Sequence, residues 1–437
     1  MTTPNNATTA RRNTLPGADD VARVVLPNGI VILARENFTS QSVVISGSVV
    51  VGSVFEDAAT AGLAAMVASS LMRGTRSRDF DAIHETLEGL GASLGIGGGV
   101  HSTSFGGKAL AEDLSTLLDL LSAALREPTF PVDQVERLRG EVLTSLKIRQ
   151  QDTRSVANDA FRKLAYPESH PYNRSASGEI ETISALSIDQ MRAFHRDHFG
   201  PRGLIIVVVG AVSTTDAIQQ VTDIFGGWEN PAQPAIPKLE DVPALAAPQQ
   251  SFRVVAGKTQ SDLVIGWPGP SRFAADFQAA NLANNVLGVF GMMGRLGKTV
   301  REEQGLAYYC GSRVGGGPGP SPWQVSAGIN PANVQLAIDS TLREVERLTT
   351  ELISEADLED NKANFIGRLP LTMESNEGVA STILNMETYQ LGLDYIRNYA
   401  TLINAISREE VLAAAQKYLH PAAYALAVAG PEISDKA

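Results

Sequence analysis

The chain has 437 residues, 43% of them apolar, which is enough for the cores of two to four domains. Its 36 Lys and Arg residues against 48 Asp and Glu residues give a formal charge of −12, which argues against a nucleic-acid-binding surface. The single cysteine, Cys310, excludes an intramolecular disulfide and a cysteine zinc cluster. The first twenty residues are polar, unlike a signal peptide, and the longest apolar run, 203–212, is shorter than the ~18 residues of a membrane span. We therefore expect a cytoplasmic protein without a membrane segment.

The first elements in the chain are strands. Residues 23–33 contain Asn28 and Gly29 between two apolar runs, which predicts a tight β-hairpin, and residues 41–55 form another β-rich run. Long helical patterns follow from about residue 59 and again between residues 110 and 165. Strands grouped with helices, rather than strictly alternating with them, favour an α+β fold with largely antiparallel sheets.

A long internal repeat joins residues 183–210 to residues 403–430 without a gap. Each copy predicts a helix capped by a serine, Ser187 or Ser407, then a proline-marked turn and a buried strand. A repeat this long indicates two similar domains rather than a solenoid. Identical pairs include Ile183/Ile403, Ala185/Ala405, Ala193/Ala413, Pro201/Pro421, Val208/Val428 and Gly210/Gly430.

The predicted domain boundaries follow from composition. Prolines at 231, 234, 237, 243 and 248 indicate an extended linker over residues 229–250. We expect a disordered polar tail over residues 1–20, one domain over 21–228 and a second over 251–432.

The segment GLAAMVASSLMRGT, residues 62–75, resembles the zinc-binding helix of the M16 peptidases, an inverted H-x-x-E-H zincin motif. In that alignment the two histidines fall on Ala65 and Ser69, and the glutamate base falls on Ala68. The family's last ligand, a glutamate on a later helix, falls on Ser145. Zinc in such a site needs imidazole or carboxylate ligands, so the resemblance implies a frame without a metal.

The segment GRLGKTVREEQGLAYY, residues 294–309, resembles the family motif that carries an arginine and a tyrosine, the R/Y pair. The resemblance places this pair on Arg301 and Tyr308, with Tyr309 as a less favoured choice. In the family the pair reaches the substrate backbone beside the zinc site, where two hydrogen-bond donors suit developing negative charge. The simpler alternative is a solvated arginine and a partly buried tyrosine. Gly305 is expected to end the helix that carries Arg301.

Other motifs favour structural roles. His84 and Glu88 imitate a metal-binding helix but lie in an amphipathic pattern. His195 and His198 are spaced for a metal, yet the second repeat has Ala415 and Tyr418 there, so a solvated helix end is expected. The glycine-rich residues 314–320 lack the lysine of a phosphate loop and are expected to form a flexible loop.

The M16 resemblance implies two homologous domains, each a largely antiparallel sheet packed with helices, in the M16 metallopeptidase or LuxS-like fold. It also implies a non-catalytic subunit of a heterodimer, whose H-x-x-E-H partner holds the zinc. This chain then needs no cofactor of its own, and Arg301 and Tyr308 assist hydrolysis of an extended peptide. One alternative is a scaffold or peptide-binding subunit without a role in catalysis. Another is an independently active peptidase with an unrecognised metal site.

Overall fold

The computed structural model describes residues 15–432, apart from the side chain of Met293. In the first half of these residues, six strands pair in the order β1-β2-β6-β3-β5-β4. The neighbours are antiparallel except β2 and β6, which run parallel. The Asn28-Gly29 hairpin is present between β1 and β2, and Gly29 takes a φ of +90°. The strands are β1 (Ala22–Val25), β2 (Val31–Glu36), β3 (Ser42–Val49), β4 (Ser93–Gly98), β5 (Thr103–Leu110) and β6 (Ile205–Gly210).

The second half of the described residues contains a five-stranded sheet in the order β7-β11-β8-β10-β9. Its neighbours are antiparallel except β7 and β11. The strands are β7 (Gln249–Val254), β8 (Ser261–Pro268), β9 (Ala307–Val314), β10 (Pro322–Ile329) and β11 (Ala425–Gly430). The predicted α+β class with largely antiparallel sheets is therefore confirmed.

Helices pack against both sheets. Those of the first half are α1 (Leu63–Ser70), α2 (Phe80–Gly89), α3 (Leu114–Arg126), α4 (Val132–Gln150), α5 (Thr153–Ala165), α6 (Ile180–Ala185), α7 (Ile188–His198) and α8 (Thr214–Phe225). Those of the second half are α9 (Phe277–Gly288), α10 (Phe290–Leu296), a π-helix (Gly297–Glu303), α11 (Val334–Thr350), α12 (Glu355–Thr372), α13 (Asn376–Thr388), α14 (Tyr395–Ala405) and α15 (Arg408–Tyr418).

The internal repeat has a structural counterpart at the same offset of 220 residues. Helix α7 matches α15, and β6 matches β11, residue for residue. Ser187 and Ser407 both cap their helices by accepting a hydrogen bond from the third helical N–H, in reciprocal capping boxes. Because the caps and strands coincide, the two halves share one chain path over this segment.

One helix of each half packs on the sheet of the other half. Helix α5 lies on β8 and β11, where Ala157 and Phe161 share a buried cluster with Val264. Helix α13 lies on β3 and β6, where Ile383 shares a buried cluster with Val207. The alternate residues of β6, among them Ile206 and Val208, face the helices of their own half. The central strands of both sheets are thus covered on both faces, and these two helices join the halves together.

The predicted N-terminal tail and the predicted linker can be compared with the structure in part. Residues 1–14 of the predicted disordered tail lie outside the described residues. Residues 15–20 are ordered, because Arg397 donates hydrogen bonds to the Leu15 carbonyl oxygen and to Asp20. Residues 229–248 form no helix or strand, and Leu239, Val242 and Leu245 of this segment pack against a buried cluster. No helix within residues 15–432 is long and apolar enough to cross a membrane.

Helix α1 is capped at its N-terminus by a buried carboxyl group. Glu56 is 8% exposed and accepts hydrogen bonds from the backbone N–H groups of Gly62, at 3.0 Å, and Ala64. Burial raises the pKa of Glu56 to about 7, although both N–H bonds and nearby Arg174 favour the charged form. The carboxyl group satisfies donors that no earlier turn of helix can satisfy.

We expect Glu56→Ala to lower the free energy of unfolding by about 1–3 kcal/mol, because two buried N–H groups lose their acceptor. Urea denaturation followed by far-UV circular dichroism measures this. Glu56→Gln, which keeps one acceptor oxygen, should lose less. Equal losses for the alanine and glutamine variants would show that the acceptor is not what matters.

Candidate functional site

The positions that align with zinc ligands lie on two helices that pack together, α1 and α4. Ala65 is half-buried, Ala68 is 1% exposed, and Ser69 and Ser145 are exposed. Methyl and hydroxyl groups do not provide the imidazole or carboxylate ligands that zinc requires. These four residues therefore do not fit the metal.

Strand β4 approaches the degenerate helix closely at Gly98. A Cβ atom added to Gly98 would lie 3.1 Å from the Cα of Ala65 and 3.1 Å from the Cβ of Ala68. Such contacts are tighter than ordinary van der Waals separation, so the approach depends on glycine in the strand and alanine in the helix. Small residues thus fill the place where the family has its glutamate base.

The carboxylate that lies one helical turn from Ser145 has other partners. Glu141, one turn before Ser145 on α4, accepts a hydrogen bond from Arg73 at 2.7 Å and lies 3.5 Å from the Arg137 guanidinium. A carboxylate held by two guanidinium groups is a poor metal ligand. Within residues 15–432, no group of three or more His, Cys, Asp and Glu side chains is arranged to hold a metal ion.

Arg301 lies on the π-helix, a short element that is common at functional sites. The helix is anchored from both sides: Val300 is fully buried, and Thr299 donates a hydrogen bond of 3.1 Å to Glu344. It ends at Glu303, and Gly305 follows with a φ of +63°, as the sequence predicts. No hydrogen bond or ion pair links the Arg301 guanidinium to another described residue, so its donors are available.

Tyr308 occupies a β-bulge at the start of the edge strand β9. In the pairing with β10, Ala307 lies opposite Ile329 and Tyr309 lies opposite Gly328, so Tyr308 is the extra residue. Its side chain is 71% exposed, and its hydroxyl has no hydrogen-bond partner among the described residues. The bulge therefore presents a free phenol beside the turn that ends the π-helix.

The bulge also decides which face of the sheet receives the two tyrosines. Ala307 and Cys310 are three residues apart, yet both pack against the core on the helix side of β9. Regular alternation would put Tyr308 into that core. With the extra residue, Tyr308 and Tyr309 both lie away from it. The sequence gives no signal for this bulge.

Tyr309, the neighbour of Tyr308, is held by contacts within the protein. Its hydroxyl donates to Asp262 and accepts from the Arg154 Nε at 2.9 Å, and the Arg154 guanidinium lies 4.0 Å from its ring centroid. Burial, followed by the hydrogen bond to Asp262, raises the pKa of Tyr309 well above its usual range. A neutral phenol whose hydroxyl already makes two hydrogen bonds is not free to contact a substrate.

Two histidines expected at a solvated helix end are instead held by the protein, so that prediction is wrong. The His195 Nε2 lies 3.0 Å from the Leu125 carbonyl oxygen, and burial lowers the pKa of His195. The His198 ring stacks on Phe194, and its Nδ1 lies 2.9 Å from the Phe194 carbonyl oxygen. His84, the other candidate, lies against Phe80 with ring centroids 4.3 Å apart.

The glycine-rich loop between β9 and β10 is also not the flexible loop that the sequence predicted. Tyr172 accepts a hydrogen bond of 3.2 Å from the Gly319 N–H, and Tyr389 donates one of 2.8 Å to the Gly316 carbonyl oxygen. Tyr166 donates to the Pro320 carbonyl oxygen at 2.9 Å. Three tyrosines distant in sequence therefore fix the loop.

Comparison with known proteins agrees with the architecture. Residues 31–175 match the sequence profile described as Insulinase (Peptidase family M16), and residues 185–365 match the profile described as Peptidase M16 inactive domain. The chain belongs to the M16 peptidase family. An uncharacterized zinc protease of Streptomyces coelicolor is 25% identical over 84% of this chain and 80% of its own length.

Solved structures share the fold of this M16 chain. A peptidase M16 inactive domain from Pseudomonas fluorescens superposes with a TM-score of 0.86 at 23% identity, over 95% of this chain and 99% of its own. A protease from Helicobacter pylori gives a TM-score of 0.88 at 19% identity, over 95% and 100%. At these identities the similarity establishes the fold, and the function has to be inferred from the residues of the site.

Proposed function

We propose that this M16 chain is the zinc-less subunit of a heterodimeric peptidase. Its partner is an M16 chain with an intact H-x-x-E-H helix, which supplies the metal and the general base. Arg301 and Tyr308 of this chain support hydrolysis of the peptide in trans. The observation that carries the proposal is the contrast between Arg301 and Tyr308, which are free, and the four metal positions, which hold alanine and serine.

The chemistry available from Arg301 and Tyr308 is hydrogen-bond donation. A guanidinium supplies charged donors in a fixed plane, and a phenol supplies one O–H donor. Donors placed before the reaction stabilise the carbonyl oxygen as negative charge develops on it, at little cost in reorganisation. The π-helix that carries Arg301 packs against β9, and the bulge holds Tyr308 at the start of that strand, so both residues lie on ordered elements, as such a role requires.

The proposed substrate is a peptide in extended form at a sheet edge. Strand β9 is the outer strand of its sheet, beyond β10, and it carries Tyr308. An extended peptide beside such a strand can use main-chain hydrogen bonds, which do not depend on the sequence of the peptide.

The competing function is a scaffold or peptide-binding subunit. In that case the loss of the zinc ligands freed the fold for scaffolding, and the half-buried Arg301 and the exposed Tyr308 have no part in catalysis. The two functions differ in whether peptide hydrolysis by the assembled complex depends on Arg301 and Tyr308.

A titration tests the proposal. The H-x-x-E-H protein of the same organism is held at a fixed concentration, this chain is added, and cleavage of an internally quenched fluorescent peptide is followed. We expect cleavage to rise with added chain and to level off at one chain per partner. A partner that is fully active alone and does not respond to this chain would overturn the proposal.

A further inference from the structure

Tyr309 links the bulge at Tyr308 to both halves of the molecule. Its hydroxyl donates to Asp262 on β8 and accepts from Arg154 on α5, a helix of the first half. Asp262 is 3% exposed and also accepts a hydrogen bond from Thr153, the first residue of α5. We call Thr153, Arg154, Asp262 and Tyr309 the bulge clamp.

We propose that the bulge clamp positions Tyr308, with Tyr309, Asp262 and Arg154 acting as positioning residues for the peptidase site. This inference rests on the proposed function. None of the three is assigned contact with the substrate; they act by fixing the strand residue next to Tyr308.

The clamp can position Tyr308 because the bulge depends on how the start of β9 pairs with β10. Ala307 on the core side and Tyr309 on the opposite face are two residues apart, and a regular strand would place both on one face, so Tyr308 between them has to be the extra residue. If Tyr309 left its face and the bulge were lost, Tyr308 would pair with Gly328 as a regular strand residue. The Tyr309 hydroxyl is tied on two sides, to Arg154 and to Asp262, and the Arg154 guanidinium covers its ring at 4.0 Å. These contacts hold Tyr309 on its face of the sheet and so hold the extra residue at Tyr308.

The clamp requires an aspartate at 262, because every group that hydrogen-bonds to this carboxylate is a donor. Hydroxyl groups of Thr153 and Tyr309 and the side-chain amide of Gln260, at 3.2 Å, all point at its carboxylate. An asparagine at 262 would offer one acceptor oxygen in place of two, together with an N–H₂ donor, so the present hydrogen bonds from all three groups could not be kept.

The test uses Tyr309→Phe, Asp262→Asn and Arg154→Lys in the complex with the H-x-x-E-H partner, with Tyr418→Phe as the matched control. Tyr418 donates a hydrogen bond of 2.9 Å to Asp276, so the control also removes a tyrosine–aspartate bond. We expect Tyr309→Phe and Asp262→Asn to lower kcat at least about tenfold with KM within twofold, since a small misplacement of a reacting group costs rate rather than affinity. Arg154→Lys should lose less, and Tyr418→Phe should leave kcat unchanged.

A second measurement uses the full chain alone. Amide hydrogen exchange at residues 307–310 should quicken at least about tenfold in Tyr309→Phe and not in Tyr418→Phe. Unchanged exchange would overturn the clamp whatever the activity shows.

The kinetic outcomes separate this inference from the proposed function. If Arg301→Ala and Tyr308→Phe abolish cleavage while Tyr309→Phe and Asp262→Asn stay within twofold of the natural chain, the positioning role is wrong and the proposed function stands. If Arg301→Ala and Tyr308→Phe are themselves without effect, the proposed function fails, and with it the positioning of a peptidase site.

Discussion

Arg301→Ala is expected to lower kcat of the assembled peptidase by roughly 100- to 1,000-fold, the loss typical of removing one donor to a developing oxyanion. The guanidinium has no ion-pair partner among the described residues, so its removal should leave folding unchanged. The effect should fall on kcat and kcat/KM together, because the interaction forms in the transition state. Steady-state cleavage of a fluorescent peptide by the mixed subunits measures it.

Arg313 supplies the matched control for this prediction. It is an exposed arginine on the same strand as Tyr308, and Arg313→Ala removes the same charge. Its kcat should stay within twofold of the natural chain, whereas Tyr308→Phe should lose activity in the direction of Arg301→Ala. Similar small effects of Arg301→Ala and Arg313→Ala would favour the scaffold function.

Phe161→Ala is expected to lower the free energy of unfolding by about 3–5 kcal/mol, the usual cost of deleting a buried aromatic ring. Phe161 is fully buried where α5 crosses the sheet of the second half. A Cβ atom on Gly266 would lie 2.9 Å from its ring, so the strand has a glycine where the ring fits. The cavity would therefore open at the junction of the two halves, and chemical denaturation measures the loss.

Phe38→Ala provides the comparison, because Phe38 is 65% exposed and its loss should change stability by less than about 0.5 kcal/mol. A loss of less than about 1 kcal/mol in the free energy of unfolding of Phe161→Ala would contradict the role of α5 in joining the two halves.

Local patterns predicted much of the fold. The Asn28-Gly29 hairpin follows from turn chemistry, and the serine caps at 187 and 407 follow from side chains that satisfy helix donors nearby in sequence. Such features depend on residues within a few positions of one another. They are therefore visible without knowledge of the tertiary structure.

Features set by distant partners could not be predicted in this way. The apolar face of α5 indicates burial, but nothing in its sequence states that the sheet it covers belongs to the other half. The loop at 314–320 contains the residues of a flexible loop, yet Tyr172 and Tyr389 fix it from far along the chain. The bulge at Tyr308 likewise arises from pairing with β10 rather than from β9 alone.

The measurement that tests the central claim most directly is bound zinc and peptide cleavage by the isolated chain. Ala65, Ala68, Ser69 and Ser145 provide no ligand or base, so after exposure to zinc and desalting we expect less than about 0.1 zinc per chain and no cleavage. Mixing with the H-x-x-E-H partner should then give cleavage. One zinc per isolated chain together with cleavage would contradict the split site, and would mean that the metal is held by residues other than these four.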